Sequence, residues 1–168
     1  MTHRNFKGRW AAAAGLAAVL LLAGCDAERI AKLEEGVATE ADVRQQFGAP
    51  AAVFEEPDGS RTFDYPRQPE GAVNYLITIG PDGRMSALRQ VLTPRNFERV
   101  QPGMTADQVR RLLGRPAQQQ TYALKQQTEW DWRWRDGQQP KVFNVVFDAD
   151  MKVLRSAVMD DPRLMSPG

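Results

Sequence analysis

The residues Leu22-Ala23-Gly24-Cys25 place the chain's one cysteine directly after two small residues. A thiol there is a nucleophile to which lipid can be added, and small side chains let the backbone enter a peptidase site. What precedes the box fits that chemistry. Arg4, Lys7 and Arg9 make a basic start, and Trp10 to Leu22 is an apolar run of 13 residues. A spanning helix needs about 20 apolar residues, whereas a secretory signal needs roughly 7–15. The expectation is a lipoprotein signal peptide over 1–24, lipid (palmitate among the acyl chains) on Cys25, and a lipidated tether over 25–29. Asp26 follows the lipid site, and in the best-studied lipoprotein sorting systems an Asp there favours retention in the inner membrane.

Other chemistry is largely excluded. The one histidine, His3, falls inside the expected signal, so the remainder has neither imidazole nor free thiol. That removes Ser-His-Asp and Cys-His catalysis and the usual transition-metal ligands. A carboxylate pair could still do acid–base work, but no two acids are brought together by spacing. Gly80-Pro81-Asp82-Gly83 and Asp148-Ala149-Asp150 offer too few ligands for calcium and read as tight turns. The expectation is a non-enzyme with no metal and no cofactor. Beyond the signal, 19 Lys and Arg face 21 Asp and Glu, with no basic arm or helix to suit nucleic acid.

One stretch has the composition of a binding surface: Glu129-Trp130-Asp131-Trp132-Arg133-Trp134-Arg135. In a strand the three tryptophans point one way and Asp131, Arg133 and Arg135 the other. Either the tryptophans are the core beneath helices, or they form an exposed aromatic platform. Because Trp and Arg are both common in binding hot spots, each orientation leaves one of them outward. Trp130, Trp132, Arg133, Trp134 and Arg135 are therefore candidate partner contacts, together with Phe63 and Tyr65 in the matching earlier strand.

The elements that position these residues come twice. Val43 pairs with Val109, Arg44 with Arg110, Gly48 with Gly114 and Pro50 with Pro116, each 66 residues apart. In each copy a threonine, Thr39 or Thr105, is an N-cap with Asp42 or Gln108 three residues on, which makes a capping box. Gly48 and Gly114 suit a left-handed position after the helix. A shorter helical stretch precedes each, holding Ile30 and Leu33, or Phe97 and Val100. Period-two alternation follows: Phe63 and Tyr65, then Tyr75, Ile77 and Ile79, then Met85 to Leu92; and again the tryptophans, then Phe143, Val145 and Phe147, then Val153 to Met159. The expected fold is α+β, with two tandem ααβββ repeats over 30–95 and 96–160 and a loose tail over 161–168. A fourth short strand has room near Ala51 to Glu55 or Gln118 to Tyr122.

Gly103 to Pro116 reads Gly-Met-Thr-x-x-Gln-Val-x-x-Leu-Leu-Gly-x-Pro. It resembles the signature of the SmpA/OmlA family, the BamE-like outer-membrane lipoproteins, which carry a lipobox and an ααβββ domain. The resemblance implies a lipid-anchored, periplasm-facing protein of the outer membrane. It would act in envelope integrity or as an accessory to the machinery that folds β-barrel proteins there, and that machinery or another envelope protein is the implied partner. The tandem is also similar to secreted β-lactamase inhibitor proteins, which implies the alternative of a membrane-tethered inhibitor or regulator of a periplasmic enzyme.

Overall fold

The computed structural model describes residues 26–161 and 163. The expected signal peptide, Cys25 and most of the C-terminal tail lie outside those residues. The described part is α+β, with two four-stranded antiparallel sheets and few helices. A first helical turn, α1 (residues 26–31), leads to α2 (Glu40–Phe47). The first sheet then runs as a meander through β1 (Ala52–Glu55), β2 (Arg61–Pro66), β3 (Asn74–Ile79) and β4 (Met85–Gln90). The second half follows the same order. It has α3 (Pro94–Phe97) and α4 (Ala106–Leu113), then β5 (Gln118–Tyr122), β6 (Gln127–Asp136), β7 (Gln139–Phe147) and β8 (Val153–Asp160). No described helix is long and apolar enough to cross a membrane.

Each sheet thus has the three expected strands and the fourth for which Ala51 to Glu55 and Gln118 to Tyr122 left room. The extra ones, β1 and β5, are edge strands. β5 is Gln-Gln-Gln-Thr-Tyr and exposed throughout, so it carries no apolar alternation to read. It is held by its ladder to β6, Gln118 opposite Asp131 through Tyr122 opposite Gln127.

Both expected capping boxes form. The Thr39 hydroxyl accepts from Asp42 N–H while Asp42 accepts from Thr39 N–H, and Thr105 and Gln108 do the same. This satisfies the first-turn donors that a helix cannot pair internally. The helix ends differ from expectation. Gly48 and Gly114 have φ of 81° and 71° but ψ of −157° and −167°, so they are not left-handed helical. They occupy a region open essentially to glycine alone, which turns the chain straight out into β1 and β5.

Two cores result. Val43, Phe47, Phe63, Tyr65, Tyr75, Ile77 and Ile79 lie between α2 and the first sheet. Val109, Leu113, Phe97, the three strand tryptophans, Phe143, Val145 and Phe147 lie between α3, α4 and the second. Trp132 is fully buried, and its Nε1–H donates to the Gly114 carbonyl at 3.1 Å. Tyr65 makes the matching bond to the Gly48 carbonyl at 3.0 Å.

α4 also packs on the back of the first sheet and so joins the halves. Arg110 donates to Asp64 Oδ2 at 2.9 Å, and Arg115 N–H donates to the same oxygen at 3.1 Å. The Asn74 side-chain amide donates to the Leu113 and Arg115 carbonyls, both at 2.8 Å. Arg111 lies over the Phe54 ring, 4.9 Å from its centre. Where β5 ends and leaves β6 unpaired, the Gln68 amide takes the place of a strand. It donates to the Arg133 carbonyl at 2.7 Å and accepts from Arg133 N–H at 3.2 Å.

The stretch expected as a tether is helical from residue 26. Asp26 accepts a bidentate pair from Arg67, 2.9 Å for each bond. The Arg67 guanidinium itself rests against the rings of Phe47 and Tyr75.

The two capping glycines make a paired prediction. A Cβ on Gly48 would meet nothing within 4 Å, but on Gly114 it would sit 2.7 Å from Asp64 Oδ1. Gly48→Ala should cost about 1 kcal/mol through its backbone alone. Gly114→Ala should cost ~1–3 kcal/mol more, because Asp64 has no room to move. Urea unfolding midpoints measure both; equal losses would show that the joint has slack.

Candidate functional site

Three of the four broad surfaces of the sheets are covered: the first sheet by α2 on one face and α4 on the other, the second by α3 and α4 on its inner face. Among the described residues no helix lies over the outer face of the second sheet, although Val142, Asn144 and Val146 on it are buried. The register places its residues in rows across β6, β7 and β8: Arg133–Val142–Met159, Asp131–Asn144–Ala157 and Glu129–Val146–Arg155. β5 extends two of these rows with Gln118 and Gln120.

The alternation on β6 decides which candidate residues reach this face. Trp130, Trp132 and Trp134 are 9%, 0% and 5% exposed and lie in the second core. They present no platform, because a small sheet needs its largest side chains beneath the helices. Phe63 and Tyr65 are likewise buried in the first core. Arg133 and Arg135 are on the outer face. Arg133 is anchored there, donating through NH1 to the Pro69 carbonyl at 2.7 Å. Arg135 is exposed and donates to the Gln138 carbonyl at 3.3 Å. Cys25 lies outside the described residues.

Sequence reasoning missed the middle of the face. The Asn144 amide donates to Asp131 Oδ1 at 2.7 Å and reaches Glu129 Oε2 at 3.4 Å, so one amide bridges two carboxylates. Burial pushes the Asp131 carboxyl up, the Asn144 bond pulls it down, and the charge of Glu129 pushes it up further. Ala157 leaves this row low on the β8 side, and Met159 stands exposed beside it. The strip therefore sets hydrogen-bond acceptors between Arg133 and Arg155. Among the described residues no three potential ligands come together for a metal.

A second exposed feature is the β5–β6 turn, where Leu124 is wholly exposed and Lys125 Nζ stands 5.3 Å over the Tyr122 ring. A shallow pocket lined by Arg99, Met104, Gln108, Arg111, Leu112 and Glu56 opens at the joint.

Residues 90–157 match the family model for the outer membrane protein assembly factor BamE domain. The match takes in α3, α4, β5, β6, β7 and most of β8, and so includes the second sheet. No curated protein matches the chain in sequence. Among solved structures, the chain is similar to a DUF4309 family protein, YjgB of Bacillus subtilis, at 17% identity and a TM-score of 0.30, over 77% of this chain and 82% of that one. It is also similar to a protein titled "putative beta-lactamase inhibitor protein" from Streptococcus mutans, at 12% identity and a TM-score of 0.36, over 73% and 83%.

Asp131 makes the pH prediction for this face. Its carboxyl is raised in the folded chain, so the fold holds that proton more tightly than the unfolded chain does. Its contribution to stability is complete below the unfolded carboxylate range and is lost as pH rises through the raised folded value. Asp131→Asn cannot titrate and escapes that loss. The stability of Asp131→Asn relative to wild type should therefore rise between about pH 3 and pH 7, read from urea midpoints across that range. A flat difference would mean that Asp131 titrates alike folded and unfolded.

Proposed function

We propose that this chain is a non-enzymatic, lipid-anchored scaffold of the outer membrane, facing the periplasm and acting in assembly of β-barrel proteins. The BamE match over the second half carries this reading. Residues 1–24 are the proposed signal peptide and Cys25 the proposed lipid site. The bidentate Asp26–Arg67 bond ties the residue beside Cys25 to the folded body, so a lipid on Cys25 would hold that body at the bilayer surface. It also engages the Asp26 carboxylate, which is only 13% exposed. Residues 30–95 and 96–160 are the proposed units, and the outer face of the second, where Arg135 is exposed, is the proposed docking surface, with Arg133 and Arg135 among its contacts. The partner is the barrel-assembly machinery of the outer membrane.

A second reading is a tethered inhibitor of a periplasmic enzyme. It draws on the β5–β6 turn, where a large apolar side chain, Leu124, is wholly exposed and free to meet a partner.

Co-purification from mildly solubilised membranes separates the two. The first reading expects outer-membrane assembly proteins enriched over an unrelated lipoprotein, and a several-fold loss of them in Arg135→Ala, whose exposed side chain is not needed for folding. One soluble periplasmic protein in their place, lost in Leu124→Ala and kept in Arg135→Ala, would overturn the first reading in favour of the second.

A further inference from the structure

The edges of the two sheets are finished differently. At one edge of the first sheet, β4 turns the Leu88 N–H outward, and Glu35 Oε1 accepts from it at 3.0 Å. At the other, β1 turns the Glu55 carbonyl outward, and Arg111 donates to it at 3.4 Å while lying over the Phe54 ring. An unpaired strand edge is a template for another chain, and charged side chains laid across it blunt that tendency. In the second sheet, β8 carries Arg155 and Asp160 and a register shift opposite Val146 and Phe147. Those features also blunt an edge. β5 has none of them. It is Gln-Gln-Gln-Thr-Tyr, with no charge, no proline, an unbroken register and every residue exposed.

The ladder fixes which backbone groups of β5 point away. Arg133 gives both its N–H and its carbonyl to Gln68 on this side of β6. The Asp131 carbonyl accepts from Ala117 N–H on the same side. Backbone groups alternate along a strand, so Asp131, Glu129 and Gln127 face β5, and their partners Gln118, Gln120 and Tyr122 face back. Gln119 and Thr121 therefore turn their N–H and C=O groups outward. Ala52 stands opposite Asp64 as Gln118 stands opposite Asp131, so Thr121 holds the place of Glu55. Among the described residues no counterpart of Arg111 reaches it. The outward groups of Gln119 have no partner among them, and the Thr121 carbonyl accepts only from the Gln120 side-chain amide, at 3.3 Å.

We propose that the β5 edge is a binding site for an extended polypeptide segment, which joins the second sheet as a further strand beside β5. The outward groups of Gln119 and Thr121 define the ligand: a backbone in β conformation that presents complementary N–H and C=O groups at alternate residues. The side chains around them are glutamines and a threonine, uncharged and without a pocket, so they select little about the sequence of the segment. Main-chain bonds carry the affinity, and a short edge makes the hold transient. A stable dimer buries about 1,200 Å² or more. An edge of this length falls short of that, so the occupant is a segment of another polypeptide and not a second copy of this chain. In the role proposed above, barrel strands that have not yet found their neighbours are such segments. The site itself needs only the β5 edge and stands without that role.

The full-length chain in mild detergent tests this with a fluorescent peptide that alternates threonine and valine and has a lysine at each end, read by anisotropy. Wild type should bind the peptide but not its fully N-methylated form, which has no backbone N–H to give. Gln119→Pro removes the outward N–H and sets a ring where the segment would lie, and an edge strand tolerates proline where the N–H faces solvent. It should weaken binding about tenfold or more, the effect of losing main-chain bonds. Gln119→Ala keeps the N–H and should bind as wild type does. Thr121→Pro repeats the test at the other outward residue, and circular dichroism with urea midpoints checks the fold of each variant. Equal binding by wild type and folded proline variants, or a loss in Gln119→Ala as large as in Gln119→Pro, would overturn strand addition at β5. So would a wild type that does not bind the peptide. A wild-type dimer in sedimentation that Gln119→Pro dissolves would overturn the segment as occupant in favour of a second copy. The assembly role fails separately, through the co-purification, and its failure leaves peptide binding as it is.

Discussion

A carboxylate with no exposed surface, Asp64, governs how the halves of this protein meet. Burial pushes its carboxyl up, while the Arg110 guanidinium and the Arg115 N–H pull it down. Burying such a pair costs several kcal/mol per ion before attraction is counted, and here the pairing is incomplete. Asp64 Oδ1, Asn74 Oδ1 and Arg110 Nε have no hydrogen-bond partner. The joint is therefore a poor source of net stability and a strong source of position. An apolar contact would let α4 slide. A buried Asp–Arg pair with two further bonds from Asn74 accepts one register, because any other leaves a charge alone in the interior. The same α4 sends Val109 and Leu113 into the second core. Its position on the first sheet therefore sets where the second sheet lies.

The halves then differ in how they resolve one shared plan. Each has a strand aromatic that reaches back to the carbonyl of the capping glycine, Tyr65 to Gly48 and Trp132 to Gly114. Each closes its helix entry with an isolated bridge to the last turn, Thr39 to Arg84 and Thr105 to Lys152. The second core is the more aromatic, with Phe97 stacked on Phe143 at 4.3 Å between ring centres and Trp130 against Phe147 at 4.9 Å. Trp130 and Trp134 leave their indole N–H groups unpartnered there. The tryptophans serve as volume, their polar edges a cost that the second core tolerates because large rings cover much apolar area.

The fold was legible wherever a local rule set the structure. Capping boxes, the alternation of Trp130, Trp132 and Trp134 against Asp131, Arg133 and Arg135, and the turn at Gly80-Pro81-Asp82-Gly83 act over a few residues each. What stayed hidden depends on distant pairs. Asp64, Asn74 and Gln68 read as outward polar residues of a strand and a turn, and only the return of α4 and β6 some 40 to 65 positions later buries them. β5 has no apolar period, since an edge strand can be held by backbone bonds alone. The helix-ending glycines announced a positive φ but not their ψ, which follows from where β1 and β5 must go. At the outer face of the second sheet, Arg133 and Arg135 were found by alternation. Asn144 was missed because nothing near it in sequence says that two carboxylates will share its amide.

The character of the second sheet's outer face follows from the same constraint. Asp64 and Asp131 begin as equivalent side chains, and what covers them makes them different. On the first sheet a guanidinium and one backbone N–H converge on the acid, and its neighbour across the ladder, Leu76, is apolar and 8% exposed. On the second sheet the neighbour is Asn144, which can satisfy an acid without outside help. Val142 and Val146 on the same strand are buried, at 5% and 2% exposed, in rows ending in Met159 and Arg155.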